Sequence, residues 1–167
     1  MRNSSSWPKP GVSKKYWLPK AEWDKTLHLM SIPCVDLILE RSDKSILYGW
    51  RMISPYRRVW ALVGGRILRG EDLLRSSFRV AKEYGLHFNQ LYLNGVFPIN
   101  FRRRSDIAIS LAARNIEGVA RVDEVEFSKF SWSVAPPRNL GANYRTMVNH
   151  WKLASRSMDF LRLSRLL

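Results

Sequence analysis

A diglycine turn that leads into a charged helix is the feature of this sequence that most restricts its fold. Residues 60–86 read WALVGGRILRGEDLLRSSFRVAKEYGL, with Gly64 and Gly65 at the turn. Glycine permits the tight turn, and the start of the following helix offers backbone N–H groups to an anion such as phosphate. The apolar periodicity predicts this helix over residues 70–85. The predicted apolar face consists of Leu73, Leu74, Phe78 and Ala81.

Three residues in this stretch have a characteristic spacing: five residues separate Gly65 from Glu71, and seven separate Glu71 from Arg79. The spacing resembles the first half of the Nudix box. In the second half, the segment from Arg79 to the closing Gly85 is one residue shorter than the family pattern, and Glu83 aligns with a family carboxylate when counted from that glycine. Without the resemblance, these residues describe an ordinary helix with solvated charges after a Gly-Gly hairpin. With it, the implied fold is a Nudix α/β/α sandwich with a mixed, curved sheet.

The resemblance covers about residues 18–150 and narrows to the branch of GDP-mannose mannosyl hydrolases. In that branch an aspartate lies in the first core strand, one arginine follows the next strand and another follows the diglycine. Asp36, Arg51 and Arg66 match these positions. The match implies that Asp36 recognises the sugar or base, and that Arg51 and Arg66 bind the substrate and act in catalysis by neutralising a diphosphate leaving group. The implied substrate is a nucleoside diphosphate linked compound, such as a GDP-mannose-like nucleotide sugar.

The resemblance also implies a metal site. A diphosphate repels an incoming nucleophile, and a hard divalent cation with oxygen ligands offsets that charge. The implied ligands are the backbone carbonyl of Gly64 and the carboxylates of Glu83 and Glu126. The implied cofactor is Mg²⁺, with Mn²⁺ as an alternative. The first interpretation of the sequence is therefore a magnesium-dependent hydrolase.

Two positions near the last predicted strand depart from the branch. Glu126 stands where the branch has a metal-binding glutamine, and its carboxylate is an acceptable oxygen donor. Phe127 stands where the branch has a histidine as general base, and a phenyl ring cannot take a proton. Among the three histidines, His150 lies on a late predicted helix that can reach the mouth of the sheet, but no base is assigned. The second interpretation is a catalytically impaired Nudix-fold protein that acts as a basic nucleic-acid-binding or assembly module.

The chain is strongly basic. It has 28 Lys and Arg residues against 14 Asp and Glu residues, a formal charge of +14 at pH 7. Such a charge attracts polyanions, so a phosphate-bearing small molecule and nucleic acid are both candidate partners. The run of Arg102, Arg103 and Arg104, in a predicted turn beside Phe101, combines cations with an aromatic ring as single-stranded nucleic-acid sites do. The alternative for this run is a solvated hairpin loop.

Cysteine content and hydropathy indicate the compartment. Cys34 is the single cysteine, so no internal disulfide can form, and its apolar strand surroundings predict a buried structural thiol. No stretch approaches the ~20 apolar residues of a membrane span, and the first residues lack an apolar signal core. We therefore expect a cytoplasmic protein without a membrane span.

The order of predicted elements is that of one α/β domain. An irregular arm is predicted over residues 1–17, a Nudix domain over 18–152 and a helical extension over 153–167. The extension is predicted to pack on the domain, with a homodimer contact or an anionic surface as alternatives. Helices are predicted over residues 19–30 and 70–85 and from residue 141 or 143. Strands are predicted over residues 35–40, 45–50, 59–63, 87–97, 106–113 and 125–134.

Overall fold

The computed structural model describes residues 19–102 and 104–157. The helices within them are α1 (Lys20–Leu29), α2 (Leu73–Glu83) and α3 (Ala142–Ser157). The strands are β1 (Ser31–Leu39), β2 (Ile46–Arg51), β3 (Val59–Ala61), β4 (Val63–Arg66), β5 (Leu86–His87), β6 (Gln90–Phe101), β7 (Arg104–Arg114), β8 (Glu117–Gly118) and β9 (Phe127–Ser133).

The strands form two main sheets. The larger has the order β4-β1-β7-β6, and its β1–β7 pair is parallel while its other pairs are antiparallel. The smaller has the order β3-β2-β9 and is antiparallel, and β5 pairs with β8 separately. A mixed sheet with helices is the predicted fold class, which is confirmed.

Strand β1 lies inside the larger sheet and is covered on both faces. Its residues from Val35 to Leu39 are buried without interruption, as expected of a strand with neighbours above and below. Helix α2 packs on one face, where Val80 approaches Gly65 so closely that a methyl group on this glycine would touch it. Helix α3 lies over the other face, where Asn94 of β6 donates a hydrogen bond to the carbonyl of Met147.

The strand predicted over residues 59–63 is wrong as a single element. Val59–Ala61 pairs with β2 in the smaller sheet, whereas Val63–Arg66 pairs with β1 in the larger one. The buried Leu62 joins the two strands. A continuous apolar run predicts burial equally well in either sheet, so periodicity does not reveal the crossing.

The predicted apolar face of α2 is also partly wrong. The buried residues of this helix are Ser76, Ser77, Val80 and Ala81. Ser76 and Ser77 tolerate burial because both hydroxyls donate to the carbonyl of Leu73, at 3.1 and 2.6 Å. Phe78 instead stacks on Phe88 near the surface, with ring centroids 4.5 Å apart.

Helix α3 is anchored to the end of β1. The indole Nε1–H of Trp151 donates to Glu40 Oε2 at 2.5 Å, and Arg114 Nη2 pairs with Glu40 Oε1 at 3.2 Å. The helix continues through residue 153, where the helical extension is predicted to begin. Residues 1–17 and 158–167 lie outside the described part of the chain, so the arm and the proposed dimer contact stay predictions. Among the described residues, no helix is long and apolar enough to cross a membrane.

Candidate functional site

Three of the predicted site residues, Asp36, Gly64 and Arg66, lie on the face of the larger sheet opposite α2, whereas Glu83 lies on α2 itself. Side chains alternate between the two faces of a strand, and Val35 belongs to the α2 face because its partner Gly65 meets Val80. Cys34 and Asp36 therefore project from the other face, which we call the site face.

Two rows of paired residues cross the site face. The first row consists of Gly64, Asp36 and Ser110 on β4, β1 and β7. The second row consists of Arg66, Cys34, Ala108 and Phe97 on β4, β1, β7 and β6. Paired residues of neighbouring strands point to the same side. The register thus brings Gly64, Asp36 and Arg66 together on the site face.

Asp36 is a buried carboxyl in the first row. A Cβ at its partner Gly64 would overlap the Asp36 side chain, so this position requires glycine for close approach. Burial raises the pKa of Asp36 to about 7; the nearby Arg51 opposes this shift, and Asp106 and Glu126 add to it. The carboxyl can therefore change its protonation state near neutral pH.

Glu126 and Arg51 form a buried ion pair beside Asp36. Arg51 Nη1 lies 2.7 Å from Glu126 Oε1, and the two side chains are 14% and 5% exposed. The hydroxyl of Tyr84 lies 3.5 Å from the other oxygen of Glu126, within reach to donate to it. The charge of each partner is offset by the other, which a buried charge requires.

Arg66 is a crowded cation at the end of the second row. Trp23 of α1 covers its guanidinium, with Cζ 4.0 Å from the ring centroid. Burial and, to a smaller extent, the charge of Arg104 lower the pKa of Arg66 to about 10. Two guanidinium groups in a partly dry site repel each other, and a bound anion would relieve that repulsion. No sequence pattern indicates the contact between Trp23 and Arg66, which are distant along the chain.

The box residues form a network around Arg79. Its Nε and Nη2 atoms donate to the two oxygens of Glu71 at 2.7 and 2.9 Å, and Nη2 also donates to the carbonyl of Arg66 at 2.7 Å. Nη1 donates to Glu83 at 2.9 Å. Glu71 and Arg79 thus tie the start of α2 to the end of β4, which positions Arg66.

The proposed metal ligands are Gly64, Glu83 and Glu126. Within the described residues, no group of three or more His, Cys, Asp and Glu side chains could hold a metal ion. Both carboxylates are paired with arginines, Glu83 with Arg79 and Glu126 with Arg51. One carbonyl and two carboxylates nevertheless fit Mg²⁺ in kind, because this cation takes oxygen donors, often one or two carboxylates, and keeps several waters.

Phe127 lies in the core. It occupies the position at which the branch that the sequence resembles has its general base. It is fully buried, and its ring packs against Tyr84 and Phe130 with centroids 5.5 and 5.3 Å away. Gly49 on the paired strand β2 leaves the space that this ring fills. The position therefore serves packing, and any general base comes from elsewhere.

The arginine run is divided by the fold. Arg104 begins β7 rather than lying in the predicted turn; its guanidinium pairs with the buried carboxylate of Asp106 and lies 5.4 Å from the ring of Phe101. Arg102 is exposed, and Arg103 is outside the described residues. A cleft of about 450 Å³ opens here, between the end of α1 and the β6–β7 hairpin. Arg104 thus faces inward to Asp106 and influences Arg66.

We expect Asp36→Asn to change how stability depends on pH. Because the folded-state pKa of about 7 lies above the usual value of about 3.9, Asp36 favours folding most below pH ~4, and this contribution is lost as pH rises through 7. The variant should lack this loss, so it should gain a few kcal/mol over the parent between pH 4 and 8. Urea unfolding across this range measures the gain. Glu117→Gln, at an exposed carboxyl, is the control; parallel curves for parent and Asp36→Asn would contradict the assignment.

Comparison with known proteins identifies the fold. No family model matches the chain. The low-salt glycan biosynthesis protein Agl8 of Haloferax volcanii is 32% identical over 66 residues, which are 40% of this chain and 42% of Agl8. The match therefore spans less than half of that relative.

Two solved structures superimpose over most of the chain. The MutT Nudix hydrolase of Burkholderia pseudomallei has a TM-score of 0.68 at 19% identity and covers 72% of this chain and 98% of its own. The Nudix domain of Shewanella oneidensis NrtR, solved with ADP ribose, has a TM-score of 0.64 at 16% identity and covers 83% and 99%. The fold of this chain is the Nudix fold.

Proposed function

We propose that this protein is a Mg²⁺-dependent hydrolase of a nucleoside diphosphate linked compound, with a nucleotide sugar as its substrate. The observation that carries the proposal is the crowded cation Arg66 in the row beside Asp36. Burial and Arg104 act against its charge, Cys34, Asp106 and Glu126 act for it, and a bound anion would favour the charge further. A diphosphate supplies that charge, and arginine forks bind its oxygens through paired, charge-assisted hydrogen bonds.

Each residue is proposed to have the role that the resemblance implies. Arg66 and Arg51 bind the diphosphate and offset the charge that develops on the leaving group. Asp36 recognises a polar group of the sugar or base. The carbonyl of Gly64 and the carboxylates of Glu83 and Glu126 hold the cation; Mn²⁺ is the alternative to Mg²⁺. When bound, the cation polarises a phosphoryl oxygen and makes water more acidic.

Two comparisons support a sugar-linked substrate. Agl8 is described as a glycan biosynthesis protein, and glycans are commonly built from nucleotide sugars. The NrtR domain was solved with ADP ribose, in which a diphosphate joins a nucleoside to a sugar. Both fit a ligand that extends from a diphosphate to a sugar ring.

A screen of nucleotide sugars with and without Mg²⁺ tests the proposal. We expect release of either free sugar and nucleoside diphosphate, or sugar phosphate and nucleoside monophosphate, depending on the bond cleaved.

Glu83→Gln should lose most of the Mg²⁺-dependent turnover, because a neutral amide is a weaker ligand for a hard cation. Glu117→Gln, at an exposed position, should retain it. Turnover by Glu83→Gln at the parent rate would remove Glu83 from the metal site.

A second candidate is a protein that binds such compounds without hydrolysing them and acts as a binding or assembly module. Two observations favour this function. Glu83 and Glu126 are paired with arginines, which compete with a metal ion for their carboxylates. Phe127 is buried and cannot act as a general base. The same screen separates the two functions: ligand binding without product in Mg²⁺ or Mn²⁺ would support the module. Binding of single-stranded nucleic acid that persists near physiological salt concentration would identify nucleic acid as its partner.

A further inference from the structure

The side-chain amide of Asn94 has a fixed orientation. Asn94 lies at the irregularity in β6 between Leu93 and Gly95, buried under α3. Its Nδ2 atom is 2.9 Å from Ser110 Oγ and 2.9 Å from the carbonyl oxygen of Met147. A carbonyl oxygen only accepts hydrogen bonds, so the group facing Met147 must be the NH₂. The Oδ1 atom of Asn94 therefore faces the other way.

This orientation determines the tautomer of His150. Its Nδ1 atom lies 2.9 Å from Asn94 Oδ1, which is an acceptor, so Nδ1 carries the hydrogen and donates. In the neutral ring Nε2 is then an acceptor. His150 is exposed, and within the described residues Nε2 has no hydrogen-bond partner. The helix thus presents one oriented acceptor at the edge of the sheet.

Phe97 connects this acceptor to the proposed diphosphate site. Its ring lies edge-on to His150, with centroids 5.8 Å apart. Phe97 ends the row that begins at Arg66 and crosses the small residues Cys34 and Ala108. Three strand spacings separate the ends of this row, about 14 Å, which a diphosphate and one sugar ring can span. The row therefore points from the proposed phosphate end toward His150.

We propose that His150 and Phe97 form a subsite for a sugar ring, in which Nε2 of His150 accepts a hydrogen bond from a ring hydroxyl. Asn94 is the positioning residue, because it sets the tautomer of His150. The phenyl ring of Phe97 offers an apolar surface beside the hydroxyl. This subsite rests on the proposed function, since the diphosphate bound at Arg66 places the ring at the other end of the row. The ring is either the sugar linked to the diphosphate or the ribose of the nucleoside.

Calorimetric titration of the full chain tests the subsite without requiring turnover. The ligands are a nucleotide sugar that binds the parent, its analogues lacking one sugar hydroxyl each, and its 2′-deoxyribose and 3′-deoxyribose analogues. His150→Phe should weaken binding of the parent ligand about threefold to tenfold, the effect of one lost hydrogen bond. It should not weaken binding of the analogue that already lacks the recognised hydroxyl. His150→Gln keeps an acceptor and should recover part of the affinity, and Asn149→Ala on the exposed side of α3 is the control.

Each outcome bears on the proposal. If His150→Phe does not weaken binding of an analogue that lacks a hydroxyl on the linked sugar, that sugar occupies the subsite. If it does not weaken binding of a deoxyribose analogue, the ribose occupies the subsite. Equal weakening of all ligands, deoxy analogues included, would overturn the subsite and leave His150 as a structural residue. Full affinity of His150→Phe for every ligand would overturn it as well. A parent that binds no nucleoside diphosphate compound would overturn the proposed function together with the subsite.

Discussion

Arg66→Met should lower kcat/KM for the best nucleotide sugar by about 10²- to 10³-fold, which is the usual effect of removing one group that stabilises transition-state charge. Arg66 is expected to act strongly because it lies in a partly dry site, where electrostatic interactions are weakly screened. Methionine keeps an unbranched side chain that can still pack under Trp23. The measurement is steady-state hydrolysis, or ligand affinity if the protein binds without turnover.

The matched control is Arg69→Met. It removes the same charge from an exposed position three residues further along the chain, so it reports the general field of a protein with a net charge of +14. We expect less than a threefold change in this control, because exposed charges are screened by salt. Equal losses in the two variants would mean that Arg66 acts through the overall charge and not through contact with the diphosphate.

Arg51→Met should lower the free energy of unfolding by about 3–5 kcal/mol at neutral pH, because it removes the cation that pairs with the buried carboxylate of Glu126. The pair has little exposure on either side, so water cannot replace the lost interaction. Guanidinium chloride unfolding of parent and variant measures the difference.

A double variant distinguishes the contribution of the ion pair to stability from the contributions of the two side chains on their own. Arg51→Met combined with Glu126→Gln removes both charges, and we expect it to recover most of the lost stability. Met52 lies next to Arg51 but outside the pair, so Met52→Leu serves as a control for packing at this end of β2. Additive effects of the two single substitutions would show that the ion pair contributes nothing to stability.

The sequence alone predicts the fold class and the three residues that meet on the site face. The resemblance to the Nudix branch is what selects Gly64, Arg66 and Asp36 as site residues. The strand register then brings them into neighbouring positions of two rows. The predicted diglycine turn is wrong, because Gly64 and Gly65 lie inside β4 and both pair with residues of β1.

Other parts of the site depend on contacts between distant segments. Trp23 covers Arg66, and Arg104 acts on it from the far end of the β6–β7 hairpin. Neither interaction has a sequence signal, since both depend on how α1 and the hairpin dock. Phe127 is the opposite case: its sequence position suggests a catalytic site, but its apolar ring belongs to the aromatic core beside Tyr84.

The anchor between Trp151 and Glu40 has a consequence for ligand selection. Glu40 directly follows the strand that carries Asp36, and Trp151 directly follows His150 on α3. One buried hydrogen bond therefore joins the strand that carries Asp36 to the helix that carries His150. We expect this bond to hold the distance between Asp36 and His150 constant. Ligands that are too short to contact both residues would then gain the contacts of only one.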